Sequence, residues 1–170
     1  MSKPFVAILM GSDSDLPAMQ ATMDVLESLD VPYEVKITSA HRTPEATHAY
    51  VKDAEQRGCA VFIAAAGLAA HLAGTVAALT LRPVIGVPLD AGPLSGIDSL
   101  LSTVQMPGGI PVACVAVGKA GAKNAAYLAA QILANSDSTL ARRLRRNRDA
   151  NAEQVLTKDA DLQERLQRRE

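Results

Sequence analysis

Two short polar segments carry most of the side chains in this sequence that could do chemistry: Gly11-Ser12-Asp13-Ser14-Asp15 and Ser39-Ala40-His41-Arg42-Thr43-Pro44. Small hydroxyls, a carboxylate, an imidazole and a guanidinium, if gathered in one place, can hold a phosphorylated sugar and move a proton beside it. Each segment follows a short apolar run that reads as a strand and precedes a helix-like stretch. In an open parallel α/β sheet, ligands bind outside the carboxyl ends of the strands, where loops meet helix N-termini whose free N–H groups favour anions. The placement therefore predicts one site built from both loops.

The three histidines separate by context. His41 stands between a small residue and an arginine in a loop, a poor setting for a packing role, so it is the candidate general acid and base. His71 follows Gly67-Leu68-Ala69-Ala70, a run of small and apolar residues that would let backbone approach a ligand closely. His48 lies inside a predicted helix beside Thr47 and Tyr50 and reads as surface or packing. Arg42, just ahead of a helix start, has the forked geometry that suits a phosphate. Ser12, Ser14, Asp15 and Ser39 read as caps or as ligand contacts.

The elements that must position these groups alternate. Val6–Met10, Tyr33–Thr38, Val61–Ala65, Val84–Val87 and Val112–Val117 are short, apolar and mostly β-branched, which predicts five strands. Between them, Leu16, Met19, Met23 and Leu26 repeat at steps of three and four and predict a helix from Leu16 to Leu29 with Asp15 at its N-cap. A second helix is expected from Thr43, with Pro44 in its first turn, to a stop before Gly58. Shorter helices are expected over His71–Thr80, Ser99–Val104 and Gly121–Leu133, the last rich in alanine. Strands alternating with helices imply a parallel sheet. Residues 1–136 thus read as one α/β catalytic domain, and residues 137–170 as a helical extension of it, in one helix or two. Its arginines at 142, 143, 145, 146 and 148 lie among acidic residues without an aromatic neighbour, which fits a solvated or inter-subunit helix better than a nucleic-acid arm.

Composition removes several classes of function. The chain has 170 residues, 48% hydrophobic and 21% charged, with a net charge of -1, so it has no general attraction to nucleic acid or anionic membranes. No apolar run approaches the roughly 20 residues of a membrane span, and Met1-Ser2-Lys3-Pro4 leads into the first strand without a signal-peptide core, so a cytoplasmic protein is expected. Cys59 and Cys114 lack metal-site or disulfide spacing and read as core residues. There is no GxxxxGK[ST] loop and no GxGxxG after the first strand, so neither ATP nor a nicotinamide is suggested. No metal-ligand spacing stands out, and no cofactor is expected.

Taken together and in order, Gly11-Ser12-x-Ser14-Asp15, Ser39-Ala40-His41-Arg42-Thr43-Pro44, Ala69-Ala70-His71-Leu72 and Gly86-Val87-Pro88 resemble the PurE family of de novo purine biosynthesis. Leu94-Ser95-Gly96, Asp98-Ser99-Leu100, Val104-Gln105-Met106-Pro107-Gly108-Gly109 and Gly118-Lys119-Ala120-Gly121-Ala122 extend the resemblance over Val6 to Ala134. Within that family the chain looks like the bacterial branch, whose mutases convert N5-carboxyaminoimidazole ribonucleotide into 4-carboxy-5-aminoimidazole ribonucleotide. The resemblance implies a three-layer α/β/α sandwich with a flavodoxin-like five-stranded parallel sheet, no metal or organic cofactor, and a homo-octamer with active sites where subunits meet. It implies that His41 is the acid and base, and that Ser12, Asp15 and Arg42, with Ser14 and Ser39, bind the ribonucleotide. Gly67, Ala69, Ala70 and His71 would line a pocket for CO2 or a carboxylate. A carboxylase acting on aminoimidazole ribonucleotide with free CO2, or a non-catalytic nucleotide-binding homologue, would share this fold and site.

The sequence departs from the family pattern beside that pocket. Leu68 stands where a second Gly is usual, and Ala73 where a Pro is usual. If that Gly takes a positive φ, Leu68 is expected to force a local rearrangement. Leu89-Asp90-Ala91-Gly92-Pro93 also differs and is expected to place Asp90 near the mouth of the site.

Overall fold

A computed structural model describes residues 3–168, so the leader reading at Met1-Ser2 and the last two residues of the C-terminal extension lie outside the described residues. Strand β1 (Phe5–Met10) is buried along its whole length, as expected of a central strand covered on both faces. Its side chains alternate between two cores. Val6, Ile8 and Met10 face one, with helices α1 (Leu16–Ser28) and α5 (Gly118–Ala134), while Ala7 and Leu9 face the other, with α2 (Pro44–Gln56) and α3 (Leu72–Ala77). Three layers follow directly from that alternation.

The sheet contains β1, β2 (Tyr33–Ile37), β3 (Cys59–Ala66), β4 (Val84–Pro88) and β5 (Ala113–Cys114), all parallel, in the order β2-β1-β3-β4-β5. This is the flavodoxin-like order, in which the chain moves to one side of β1 for β2 and then crosses to the other side for β3. Helix α4 (Ile97–Val104) packs beside β4, and buried Ser99 donates its hydroxyl to the Leu89 carbonyl at 2.7 Å. Among the described residues no helix is long and apolar enough to cross a membrane.

Several element limits differ from the expected ones. β5 has two residues rather than the six of Val112–Val117, because it is an edge strand that pairs with β4 alone; one further bond, from the Val115 N–H to the Gly86 carbonyl at 3.1 Å, carries the contact onward. Helix α5 starts three residues earlier than expected and α4 two earlier, whereas α3 ends at Ala77 in a turn before Pro83. The C-terminal extension is one helix, α6 (Ser138–Gln167), not two. Asp137 caps it, accepting from the N–H groups of Thr139 and Leu140 at 2.9 and 3.0 Å. Its first turns rest on the body: Leu140 is buried, and the Arg143 guanidinium donates to the Leu29 carbonyl at 3.1 Å and pairs with Asp30 at 3.0 Å. One arginine of the basic cluster is thus a cap for the carboxyl end of α1. Cys59 is buried as expected, and burial pushes its thiol up to about 11, whereas Cys114 is only half-buried.

Backbone approaches backbone closely at Gly121 on α5, where a Cβ would lie 1.5 Å from the carbonyl oxygen of Ala116. No rotamer change can relieve a clash with backbone. Gly121→Ala is therefore expected to destabilise the protein by about 3 kcal/mol, seen as a lower midpoint in urea denaturation; an unchanged midpoint would show that α5 can move away from the end of β5 at little cost.

Candidate active site

The order reversal leaves a crevice beyond the carboxyl ends of β1 and β3. The β1–α1, β2–α2 and β3–α3 loops meet there around a cavity of about 370 Å³. Ser12, Ser14, Asp15, Ser39, His41, Arg42, Gly67, Ala69 and His71 all line it, together with Gly11, Ala40, Ala66, Leu68, Leu72 and Ala91. Of the expected site residues only Ala70 does not line it, because its side chain is buried beneath the loop. His48 lies exposed on α2, away from the cavity.

The β1–α1 loop is a single 3-10 turn, Asp13–Asp15, held by a reciprocal cap. The Ser12 hydroxyl accepts from the Ser14 N–H at 3.3 Å, and the Ser12 N–H donates to Asp15 Oδ2 at 3.1 Å. Asp15 occupies the N-cap position of α1 as expected, but its side chain makes no bond to that helix and reaches back to Ser12 instead. Partial burial pushes the Asp15 carboxyl above its ordinary range, while the N–H groups of Ser12 and Gly11 pull it back. The result is a fixed acceptor facing the cavity.

A ladder of threonine hydroxyls that the sequence reading did not single out anchors the β2–α2 loop. Thr38 and Thr47 are buried and share a hydrogen bond of 2.7 Å, and Thr43 adds one to Thr38 at 3.3 Å. Thr43 also closes the loop on itself, accepting from the Ser39 N–H at 2.9 Å and donating its N–H to the Ser39 carbonyl at 2.9 Å. The spacing Thr43-x-x-x-Thr47, one helical turn, was the signal available in the sequence. On this loop the Ser39 hydroxyl accepts from the Arg42 N–H at 3.1 Å, and the Arg42 guanidinium donates one N–H to the Gly11 carbonyl at 3.1 Å. Arg42 therefore bridges two of the three loops and keeps further N–H groups for a ligand.

His41 and His71 meet across the cavity. Nε2 of His41 lies 2.7 Å from Nδ1 of His71, with the rings edge to face at a centroid separation of 4.9 Å and an interplanar angle of 81°. One nitrogen of that contact must carry a proton and the other must be bare, so the two rings share a single proton along this line.

The third loop is shaped by a residue in an unusual backbone state. Leu68 adopts a left-handed φ of 55°; the loop imposes on leucine a conformation that costs a non-glycine residue about 1–2 kcal/mol. Gly67 and Gly92 face side chains from the opposite loop: a Cβ on Gly67 would lie 2.5 Å from the Ala91 Cβ, and one on Gly92 2.5 Å from Leu68 Cδ2. Asp90 is not at the mouth of the cavity as expected. Its carboxylate lies beside Gly118 at the start of α5, 3.3 Å from where a Cβ on that glycine would be, and a carboxylate is favourable at the positive end of that helix. Among the described residues no group of three or more His, Cys, Asp or Glu side chains could hold a metal ion.

Known proteins resemble this chain in sequence and in fold. A family model described as AIR carboxylase matches residues 5–154. The chain is similar to proteins named N5-carboxyaminoimidazole ribonucleotide mutase from Bacillus subtilis (53% identical over 159 residues, 94% of this chain and 98% of the relative) and Escherichia coli K12 (54% over 151 residues, 89% of each). One from Pyrococcus horikoshii is 57% identical over 144 residues, 85% of this chain and 80% of its own. The crystal structure of Treponema denticola PurE superposes with a TM-score of 0.86 at 30% identity, covering 94% of this chain and 99% of that one. With the match spanning every loop that lines the cavity, the chain belongs to the AIR carboxylase family.

Proposed function

We propose that this protein is a mutase that converts N5-carboxyaminoimidazole ribonucleotide into 4-carboxy-5-aminoimidazole ribonucleotide, in the cytoplasm, as a step of purine nucleotide synthesis. The observation that carries the reading is the paired His41 and His71 facing the Ser12, Asp15 and Arg42 cluster across one cavity, in a chain whose relatives bear the mutase name. The free thiols of Cys59 and Cys114 suit a reducing compartment.

In this reading Arg42, with Ser39, takes the phosphate, because a guanidinium at a helix start offers several N–H donors to one anion. Asp15, with Ser12 and Ser14, accepts hydrogen bonds from the ribose hydroxyls. The base then projects toward the two histidines, with its carboxylate against Gly67, Ala69 and His71, while Ala70, buried behind them, supports the loop. His41 gives a proton to the carbamate nitrogen, the nitrogen–carbon bond breaks, and CO2 is released beside the electron-rich aminoimidazole. Carbon C4 attacks that CO2, and His41 takes the C4 proton, which restores both the aromatic ring and the catalyst. One proton leaves His41 and one returns, so no net acid or base is consumed. Holding CO2 against C4 replaces a bimolecular encounter and is worth several kcal/mol of barrier, up to about 7–11 in ideal geometry.

The assembly in this reading is a homo-octamer. Leu94, Ile97, Leu101 and Val104 leave an apolar face on and beside α4 exposed, and Val155, Leu162 and Leu166 form another along α6. Scattered single apolar residues need no partner, but stripes of this length do. An open groove of about 730 Å³ between α5 and α6, lined by Tyr127, Leu128, Leu144, Arg145 and Arg148 among others, offers a seat for a neighbouring chain.

The deciding experiment supplies the purified protein with N5-carboxyaminoimidazole ribonucleotide, and separately with aminoimidazole ribonucleotide plus bicarbonate, and follows the C4-carboxylated product. Fast conversion of the first alone is expected; preference for the second would make the protein a carboxylase, and binding without product a non-catalytic homologue. His41→Asn should lower kcat by a factor on the order of 10²–10⁴ with nucleotide binding retained, and an undiminished kcat would remove His41 from the chemistry. Deleting residues 152–170 should reduce the number of subunits, obtained as the light-scattering mass divided by the truncated chain's own mass, while far-ultraviolet circular dichroism of the remaining chain stays native in shape. An unchanged number of subunits would move the interface elsewhere.

A further inference from the structure

We propose that Leu68 is the wall that keeps CO2 in the site, a positioning residue specific to chains that carry an apolar side chain here; this rests on the trapped-CO2 reading given above. The β3–α3 and β4–α4 loops interlock through a reciprocal pair of contacts. Ala91 fills the space in front of Gly67, and the tip of Leu68 fills the space in front of Gly92, each at 2.5 Å from the position a Cβ would take. Leu68 thus spans the gap between the two loops. It does so from a left-handed backbone with φ of 55° while 52% of its surface stays exposed. Neither feature helps folding: a glycine would hold that backbone without strain, and a polar side chain would suit the exposure. What the branched side chain adds is an apolar surface along the same cavity that His41 and His71 line.

That surface matches what the intermediate needs. CO2 has no hydrogen-bond donor and no net charge, so a fixed cation or N–H group holds it weakly, and retention depends on closing its routes to solvent. The Gly67 to Ala70 loop offers no polar side chain, and Leu68 is its one bulky member. If CO2 escapes, the carbamate has been converted, with the one proton from His41, into aminoimidazole ribonucleotide and free CO2, and His41 must be reprotonated by solvent before another turnover. A leak therefore shows as decarboxylated ribonucleotide formed in place of the C4 product.

The test uses the full chain and N5-carboxyaminoimidazole ribonucleotide labelled with ¹³C in its carbamate carboxyl, in unlabelled bicarbonate, with the uncatalysed decay subtracted. The native protein should pass nearly all its label to the C4 carboxylate. In Leu68→Gly the ratio of decarboxylated to C4-carboxylated product should rise on the order of tenfold, the scale set by loss of an apolar contact of this size. The product ratio is the readout, independent of the overall rate, and the melting temperature should change little, since the backbone strain that glycine relieves offsets the contact with Gly92 that it gives up. Leu68→Ala should leak to an intermediate degree and Leu68→Met should restore retention. Native-like label transfer in both Leu68→Gly and Leu68→Ala would overturn the proposal. Failure of the native protein to make the C4 product would instead overturn the mutase reading and this one with it, and full exchange of label in the native protein would overturn the trapping of CO2 in the same way.

Discussion

The fold turns on the pairing of β1 with β3. Because β2 and β3 lie on opposite sides of β1, the connections that leave the ends of β1 and β3 diverge to different faces of the sheet, and no helix covers the gap between them. Everything chemical in the protein depends on that gap. A sheet wound in one direction only would have closed it with the next helix, and the serines, the carboxylate and the histidines would have been spread along an edge. Deep burial of β1 and β3 on both faces makes the two banks of the crevice the least movable part of the molecule.

On that base the loops are set by short polar contacts rather than by packing. Asp15 and Ser12 hold each other, Thr43 holds Ser39, and Arg42 ties the second loop to the first. Buried threonines at 38 and 47 then fasten the second loop to the body. The third loop is different in kind, since it contributes no polar side chain before His71 and is fixed by shape, through glycines on each side that receive a neighbour's side chain. Polar loops at one end of the cavity and an apolar one at the other divide it into a part suited to a sugar phosphate and a part suited to a small uncharged molecule.

Much of this was legible in the sequence, and the limits of what was legible have physical causes. The strand and helix pattern could be read because β1, β3 and β4 are continuous apolar runs, and the site loops could be read because reactive residue types sat at strand ends. β5 is shorter than its composition suggests, since Val112–Val117 has strand character but only one neighbour to pair with. Asp90 lies elsewhere than expected because nothing in the sequence says that its loop bends toward α5. The pairing of His41 with His71 joins positions thirty residues apart, and such a contact is encoded only in the topology. Leu68 could be recognised as a departure from a pattern, but its left-handed turn and its place in front of Gly92 are revealed only by the folded loops.

Helix α6 has 30 residues and so runs about 45 Å, longer than the roughly 35–40 Å breadth of a compact body of the preceding residues. Every residue from Arg148 to Arg168 is exposed. A solitary chain would therefore experience drag and tumble like a rod attached to a sphere, with slow rotation about the short axes and faster rotation about the long one. Its solution profile would be set by one helix that holds less than a fifth of its residues.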